Sequence, residues 1–364
     1  MSATKFRYPN RVAALRSLIK EQELGGMLIS DPHNRRYFSG FIGTAGLLFI
    51  TESDAILATD FRYTEQGADQ ATGFEITKIQ GRIGEWFPKL LGELGVDNIG
   101  FEADNLTVSA LQTYEDAIAE SEIEVNLVPK SGDAAKLRAI KDPGEVKLLQ
   151  KAIDIGDAAF EETAGKLMPG MTENEAAWEF EKAIRERGAE SLSFDTIVAI
   201  GPNAARPHHQ TGDSELREGE TIVFDCGATY QGYCSDLTRT VVLGEADDEV
   251  VRIYSIVLEA QESAIEKVEA GITGGEADAI ARKIIEGAGY ADNFGHSLGH
   301  GLGLQVHEEP NVGPRGTTPL ENGMPFTIEP GIYIPGWGGV RIEDVVVLEN
   351  GRARVLSHAA KMRF

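Results

Sequence analysis

GMTENEAAWEFEKAIRERGAE, residues 170–190, is answered 101 residues later by GITGGEADAIARKIIEGAGYA, residues 271–291. Upstream, Asp142-Pro143-Gly144-Glu145-Val146 is mirrored by Asp247-Asp248-Glu249-Val250-Val251, at an offset of about 105. Downstream, Asp225 and Glu329 lie 104 apart, each within an apolar strand. Self-similarity at a steady offset marks a duplicated unit. Here the unit reads as two helices followed by a β-hairpin. Two copies would make one pseudo-symmetric α+β domain, its helices packed on a curved antiparallel sheet. Asp142 as N-cap, Pro143 at the first helical position and Glu145 completing a capping box give the first long helix a strong start.

Ahead of the repeat, short apolar runs alternate with helical patterns: MLIS, GLLFIT, DAILATD, EITKI, then IGEWFPKLLGEL, NIGFEAD, LTVSALQTYEDAIAE and IEVNLVP. That alternation predicts a separate α/β domain over residues 1–132, leaving 133–364 for the repeat. KSGDAAKLRAIK, residues 130–141, reads as a polar linker. A chain of 364 residues is long for one core, so two domains suit it. A net charge of -24 argues against nucleic acid or an anionic membrane as partner. No signal-like apolar core opens the chain, and no run approaches the roughly 20 apolar residues of a membrane span, so a cytoplasmic location is expected. The two cysteines, Cys226 and Cys234, are too few for a disulfide framework and read as small buried apolar residues.

FDCGATYQGYCSDLTRT, residues 224–240, carries the chemistry. With Gln231-Gly232 as a two-residue turn, Tyr230 faces Tyr233 and Gly227 faces Asp236. Asp225 then projects from the same face as Asp236, as a diagonal cross-strand neighbour roughly 7 to 8 Å away along the backbone. In FTIEPGIYIPGWGGVRIEDVVVL a five-residue loop at 335–339 would pair Ile334 with Val340 and Gly331 with Glu343, again leaving Glu329 and Glu343 diagonal on one face. Four carboxylates on two matched hairpins repel one another unless cations lie between them, and a pair of divalent metal ions meets that need. Asp344 faces the other side of its strand and, like Glu349, reads as a solvated strand residue.

Histidines add nitrogen to this oxygen-rich set. Pro207-His208-His209 is one cluster, and FGHSLGHGLGLQVHEEP supplies His296, His300 and His307 among glycines that make a poor helix and allow close backbone approach. Beside four carboxylates, such residues suit a nitrogen ligand and transition-state donors.

The segments FDCGATYQGYCSDLTRT, GHSLGHGLGLQVHEEP, FTIEPGIY and VRIEDVVVL resemble the motif set of the pita-bread metallopeptidases, in their proline-specific branch of aminopeptidase P and prolidase. DPHNRRYFSGFIGTAGLLFI and ATDFRYTEQ resemble that branch's creatinase-like N-terminal domain, and LRAIKDPGEVKLLQKAIDIGDAAF its linker and first catalytic helix. The resemblance implies five ligands of a dinuclear site, Asp225, Asp236, His300, Glu329 and Glu343, with Asp236 and Glu343 bridging. It implies substrate-orienting roles for His208, His296 and His307, and places Arg341 near the bridging glutamate. It also implies a homodimer.

On that resemblance, two close metals would lower the pKa of a shared water, Glu329 would pass a proton to the leaving proline nitrogen, and His307, with His208 as a second candidate, would donate to the oxyanion. An oxygen-rich set favours manganese, with cobalt, iron and zinc as other candidates. The implied substrates are peptides with proline at the second position. Small prolidases, which cut Xaa-Pro dipeptides, often carry an arginine where this chain has Asn311, and that departure tilts the expectation to an aminopeptidase P activity on longer peptides. Metal-free creatinase and non-catalytic binding modules share the fold but depart from the ligand set, and methionine aminopeptidase usually lacks the N-terminal domain. Tyr333 and Trp337 are candidates to line a proline pocket, with core packing the other reading of Tyr333.

Overall fold

In the computed structural model, which describes residues 8–364, the chain divides into two compact units, the first ending at Arg138 and the second running from Ala139 to Phe364. The first contains α1 (Tyr8–Glu21), β1 (Gly26–Ile29), α2 (Pro32–Ser39), β2 (Leu47–Thr51), β3 (Ala55–Thr59), α3 (Thr64–Gln70), β4 (Glu75–Lys78), α4 (Ile83–Leu94), β5 (Asn98–Glu102), α5 (Val108–Ala119), β6 (Asn126–Lys130) and α6 (Asp133–Ala139). Its six strands form one mixed sheet in the order β4-β3-β2-β1-β5-β6. The apolar runs MLIS, GLLFIT, DAILATD and NIGFEAD supply its most buried strands, because a sheet covered on both faces selects continuous apolar segments over alternating ones.

The segment expected as a linker is largely helix α6. Its Ala, Lys, Leu and Arg residues are good helix formers, Asp133 sits in the first turn, and Lys136 and Arg138 in the last, matching the helix dipole. Gln22 Nε2 donates to Asp133 at 2.9 Å and the Tyr37 hydroxyl to the Leu137 carbonyl at 2.9 Å, which ties α6 down.

The second unit shows the duplication. Its first copy holds α7 (Pro143–Ala164), α8 (Glu173–Glu186), β7 (Ser191–Leu192), β8 (Ile197–Ile200), β9 (Thr221–Cys226), β10 (Ala228–Tyr230), β11 (Tyr233–Cys234) and β12 (Leu237–Val242). The second holds α9 (Asp248–Lys267), α10 (Gly274–Gly287), β13 (Gly299–Gly301), β14 (Glu308–Val312), β15 (Pro325–Ile328), β16 (Gly331–Ile334), β17 (Gly338–Arg341), β18 (Asp344–Glu349) and β19 (Arg352–Val355). α7 packs on α8 and α9 on α10. The Asp142 capping box forms as expected, and α8 and α10 begin on matching capping boxes, Thr172 with Glu175 and Thr273 with Glu276.

Packing fixes which face of each strand meets the helices. Phe224 on β9 is fully buried, edge-on to Phe160 of α7 at 5.6 Å and Phe180 of α8 at 5.9 Å between ring centroids. Each such ring contributes roughly 1.5–3 kcal/mol by burial. Phe326 and Ile328 bury the same way in the second copy, in one core with Val257 and Ala281 of its helices. With a period of two, the neighbours Asp225, Thr327 and Glu329 are turned to the opposite face. The copies join where Thr240 Oγ1 donates to the Arg341 carbonyl at 2.9 Å and the Glu343 amide to the Thr238 carbonyl at 3.1 Å. Among the described residues no helix is long and apolar enough to cross a membrane.

The first hairpin has its expected register: Tyr230 pairs with Tyr233 around Gln231-Gly232, and Thr238 with Asp225. Both turn residues have positive φ, 45° and 75°, the geometry of a type I′ turn. The second hairpin differs from expectation. Ile334 pairs with Gly338 and Gly331 with Arg341, so the loop has three residues, 335–337, and the register moves by two. Gly336, at φ 82°, supplies the left-handed position that lets so short a loop close. Ile328 pairs with Asp344, so Glu329 and Glu343 stand directly opposite each other rather than diagonal.

Candidate metal centre

All nine residues proposed for the site line one cavity of about 650 Å³: Asp225, Asp236, His300, Glu329 and Glu343 with His208, His296, His307 and Arg341. Most of the carboxylates occupy breaks in the ladders. Asp236 falls between β11 and β12, Glu329 between β15 and β16, and Glu343 between β17 and β18, while Asp225 closes on the end of β9. Three of the acids thus lie where strand pairing is interrupted, whereas Asp225 lies within the paired β9.

Asp225, Asp236 and Glu343 each present an oxygen within 4.8 Å of the others. Asp236 and Glu343 are almost wholly buried. Burial pushes both carboxyls well above the usual range, and the neighbouring carboxylates push further. Burial raises Glu329 too, against the pull of His296 and Arg341. Asp225 Oδ1 and Glu343 Oε1 are buried without a hydrogen-bond partner. Buried carboxylate oxygens gathered within 4.8 Å, two of them without a hydrogen-bond donor, are what a divalent cation takes as ligands, so these residues fit a metal.

The other oxygens are tied off. Thr238 Oγ1 donates to Glu343 Oε2 at 2.7 Å, Thr327 Oγ1 to Glu329 Oε1 at 2.9 Å, and Arg341 Nη2 to Asp225 Oδ2 at 2.5 Å. His300 on β13 has Nδ1 3.0 Å from the Gly301 carbonyl, which keeps the proton there and turns Nε2 to the acids, 3.6 Å from Asp236 and 3.4 Å from Glu329. Burial lowers the His300 pKa, so the ring is neutral, the form that ligates.

Around this core the structure separates roles the sequence left together. His307 is exposed to the cavity, its ring 4.2 Å from that of His300, and partial burial beside His300 keeps it neutral. His208 also faces the cavity and is exposed. His296 is different, because both its ring nitrogens are engaged: Nδ1 with the Ser297 carbonyl and Nε2 with the Tyr333 hydroxyl, each at 2.8 Å. Arg341 Nη1 donates to that hydroxyl at 3.0 Å, so the Tyr333 hydroxyl donates its own hydrogen bond to His296 Nε2 and the three side chains form one directional chain. Burial pushes the Tyr333 pKa up to about 12.

Tyr333 therefore does not act as a free wall for proline; it links Arg341 to His296. Sequence reasoning also missed Thr238 and Thr327, each two residues from a carboxylate on the same face, a spacing that period two alone could have flagged. Asp344 does face the other side of its strand, but it is buried there, pairing with Arg239 Nη2 at 2.7 Å and Lys361 at 2.7 Å. Its helix-side face is covered by Gln261, which donates to it at 2.8 Å. Glu349 is solvated and pairs with Arg354.

Residues 147–350 match the sequence profile of metallopeptidase family M24, and residues 11–140 that of the creatinase/prolidase N-terminal domain. The chain is 36% identical over 349 residues to an Xaa-Pro dipeptidase of Pyrococcus furiosus, covering 95% of this chain and 97% of that one. Among solved structures, an Xaa-Pro dipeptidase from Bacillus anthracis is similar with a TM-score of 0.94 at 43% identity, over 98% of this chain and 99% of that one. An X-Pro aminopeptidase from Thermotoga maritima superposes with a TM-score of 0.88 at 38% identity, over 97% and 99%.

Proposed function

The chain belongs to metallopeptidase family M24, and on that premise we propose that it is an Xaa-Pro dipeptidase whose site binds two divalent ions. The observation that carries the reading is the convergence of Asp225, Asp236 and Glu343 within 4.8 Å of one another, with His300 and Glu329 against them, in one cavity. Of the two solved structures, the Xaa-Pro dipeptidase is the more similar, at 43% identity and a TM-score of 0.94 against 38% and 0.88 for the X-Pro aminopeptidase, and this supports the dipeptide over the longer peptides that Asn311 suggested. A single substituted position weighs less than agreement over the whole chain.

Asp225, Asp236, His300, Glu329 and Glu343 would hold the ions, with Asp236 and Glu343 shared between them. Bound there, divalent ions supply Lewis acidity that polarises the scissile carbonyl and lowers the pKa of water. Manganese suits so oxygen-rich a set. Glu329, raised by burial, takes up a proton and delivers it to the leaving proline nitrogen. His307, neutral and open to the cavity, donates to the oxyanion, with His208 as the second donor. Arg341 holds Asp225 in place and, through Tyr333, orients His296.

The test is hydrolysis of Ala-Pro, Ala-Pro-Pro and Ala-Ala by protein loaded with manganese, with Asp225→Asn as control. Preference for Ala-Pro by about tenfold or more in kcat/KM supports the dipeptidase. Preference for the first bond of Ala-Pro-Pro makes it an aminopeptidase, and equal cleavage of Ala-Ala removes the proline specificity. The same reading takes the protein as a cytoplasmic homodimer; two buried free cysteines accord with a reducing compartment, and sedimentation velocity giving a monomer would remove the dimer.

A further inference from the structure

Pro207-His208-His209 puts two imidazoles side by side, and they turn to different surroundings. His208 lines the cavity, whereas the His209 side chain is 8% exposed, with Nε2 2.8 Å from Glu173 Oε2. Glu173, the first residue of α8, is fully buried. Its carboxylate accepts from the Ile200 amide at 3.0 Å, Asn203 Nδ2 at 2.9 Å and the Gly212 amide at 3.0 Å, besides His209. One carboxylate thus gathers the end of β8, the turn after it and both flanks of the loop that carries His208. A buried charge is tolerated only when its oxygens are saturated in this way, and a helix N-terminus favours it further.

The loop is held elsewhere as well. The Pro207 carbonyl lies 3.4 Å from Arg341 Nη1, and Thr211 Oγ1 accepts from the Val198 amide at 2.9 Å while donating to the Thr196 carbonyl at 2.8 Å. His208 is the exposed residue between two anchored neighbours. From this we propose that Glu173 and His209 are positioning residues: the pair locks the loop 206–212 so that the His208 imidazole stays aimed into the cavity, and neither residue touches substrate. The proposal rests on the peptidase reading for the role of His208 itself.

Removing a buried carboxylate endangers the fold, so His209→Ala and His209→Gln carry the test, with Glu173→Gln beside them. In the manganese-loaded protein acting on Ala-Pro, His209→Ala is expected to lower kcat about 10- to 100-fold with a smaller change in KM, and His209→Gln, whose Nε2 can still donate to Glu173, to restore most of it. In a His208→Ala background the same change should cost less than about threefold, because the residue through which it acts is already gone. An equal loss in both backgrounds means general structural damage and overturns the proposal, as does unchanged kcat.

Hydrogen–deuterium exchange over residues 206–212, with and without metal, supplies a readout that needs no turnover. Faster exchange confined to that loop in His209→Ala and Glu173→Gln is expected, and unchanged exchange overturns the lock. Wild-type protein that cuts no Xaa-Pro peptide, with variants that still show this exchange pattern, would sink the peptidase reading while leaving the lock standing.

Discussion

The two hairpins that build the centre are copies with different registers. In the first, Asp225 stands opposite Thr238, and Asp236 lies two residues up the partner strand. In the second, Glu329 and Glu343 lie in register with each other, between the pairs Ile328–Asp344 and Gly331–Arg341. Yet all four acids reach the same cavity. The difference teaches that duplication has kept parity rather than register. A slip of two residues moves a side chain along the strand and leaves it on its face, whereas a slip of one would send Glu343 into the helix layer, where Asp344 now sits.

If the two copies contribute equally, breaking either should be equally severe. Asp236→Asn in the first and Glu343→Gln in the second are expected to lower kcat/KM by on the order of 10³-fold or more, with loss of bound metal. Parallel activity assays and metal analysis of the purified variants check this. A centre that survives one substitution but not the other would mean that one hairpin alone holds the essential ion.

The seam between the copies carries two buried arginines pointing to opposite faces, and they sharpen the comparison. Arg239 serves the helix side, where it reaches Asp344, the carbonyls of Thr238 and Glu343, and the Ala359 carbonyl of the C-terminal segment. Arg341 serves the cavity side, where it reaches Asp225, Thr238 and Tyr333. Removing one partner of a buried ion pair costs about 3–5 kcal/mol. Arg239→Met should show that cost as a fall in stability in denaturant melts. Arg341→Met should show it chiefly in activity, since divalent metal can offset the charge that Asp225 loses. Equal stability losses from the two would refute the division of labour.

Much of this was legible. The helical echo, the two hairpins and the shared face of the acids follow from period and spacing, which survive folding unchanged. What escaped depends on three-dimensional closure. The loop at 335–337 closes in three residues because Gly336 adopts positive φ, and five apolar or glycine residues in a row gave no clue to the count. Asp344 looked solvated because its partners, Arg239, Gln261 and Lys361, are each 17 or more residues away in sequence. Residues 130–141 looked like a linker because their polarity masked good helix formers. In sequence Tyr333 reads as a core residue or a proline-pocket wall, and its hydroxyl chemistry follows only from Arg341 and His296 beside it in the fold.

A smaller asymmetry lies under the sheet. Asp157 on α7 and Gln261 on α9, 104 residues apart, are both buried, but one is an acid and the other an amide. Burial raises the Asp157 pKa to about 6, opposed by the His358 amide, which donates to it at 2.5 Å, and by Arg239. A raised acid binds its proton more tightly folded than unfolded, so the stability it contributes is complete below about pH 4 and is lost as pH rises through about 6. Asp157→Asn should remove that slope, gaining on wild type by about 2 kcal/mol between pH 4.5 and 8. Melts at the two pH values decide it, and a pH-independent difference would mean that Asp157 stays charged when folded.

The least costly break in the symmetry is at the two turns. Gln231 takes φ 45° at a position where a type I′ turn prefers asparagine, so Gln231→Asn should stabilise by about 0.5 kcal/mol. Gly336→Ala, at φ 82° in the second turn and with open space around it, should cost about 1 kcal/mol from backbone strain alone. Neither change touches an acid, so activity per folded molecule should hold in both. If Gln231→Asn instead altered metal binding, the first turn would be setting the position of Asp236 directly. The site would then depend on register in one copy and on parity in the other.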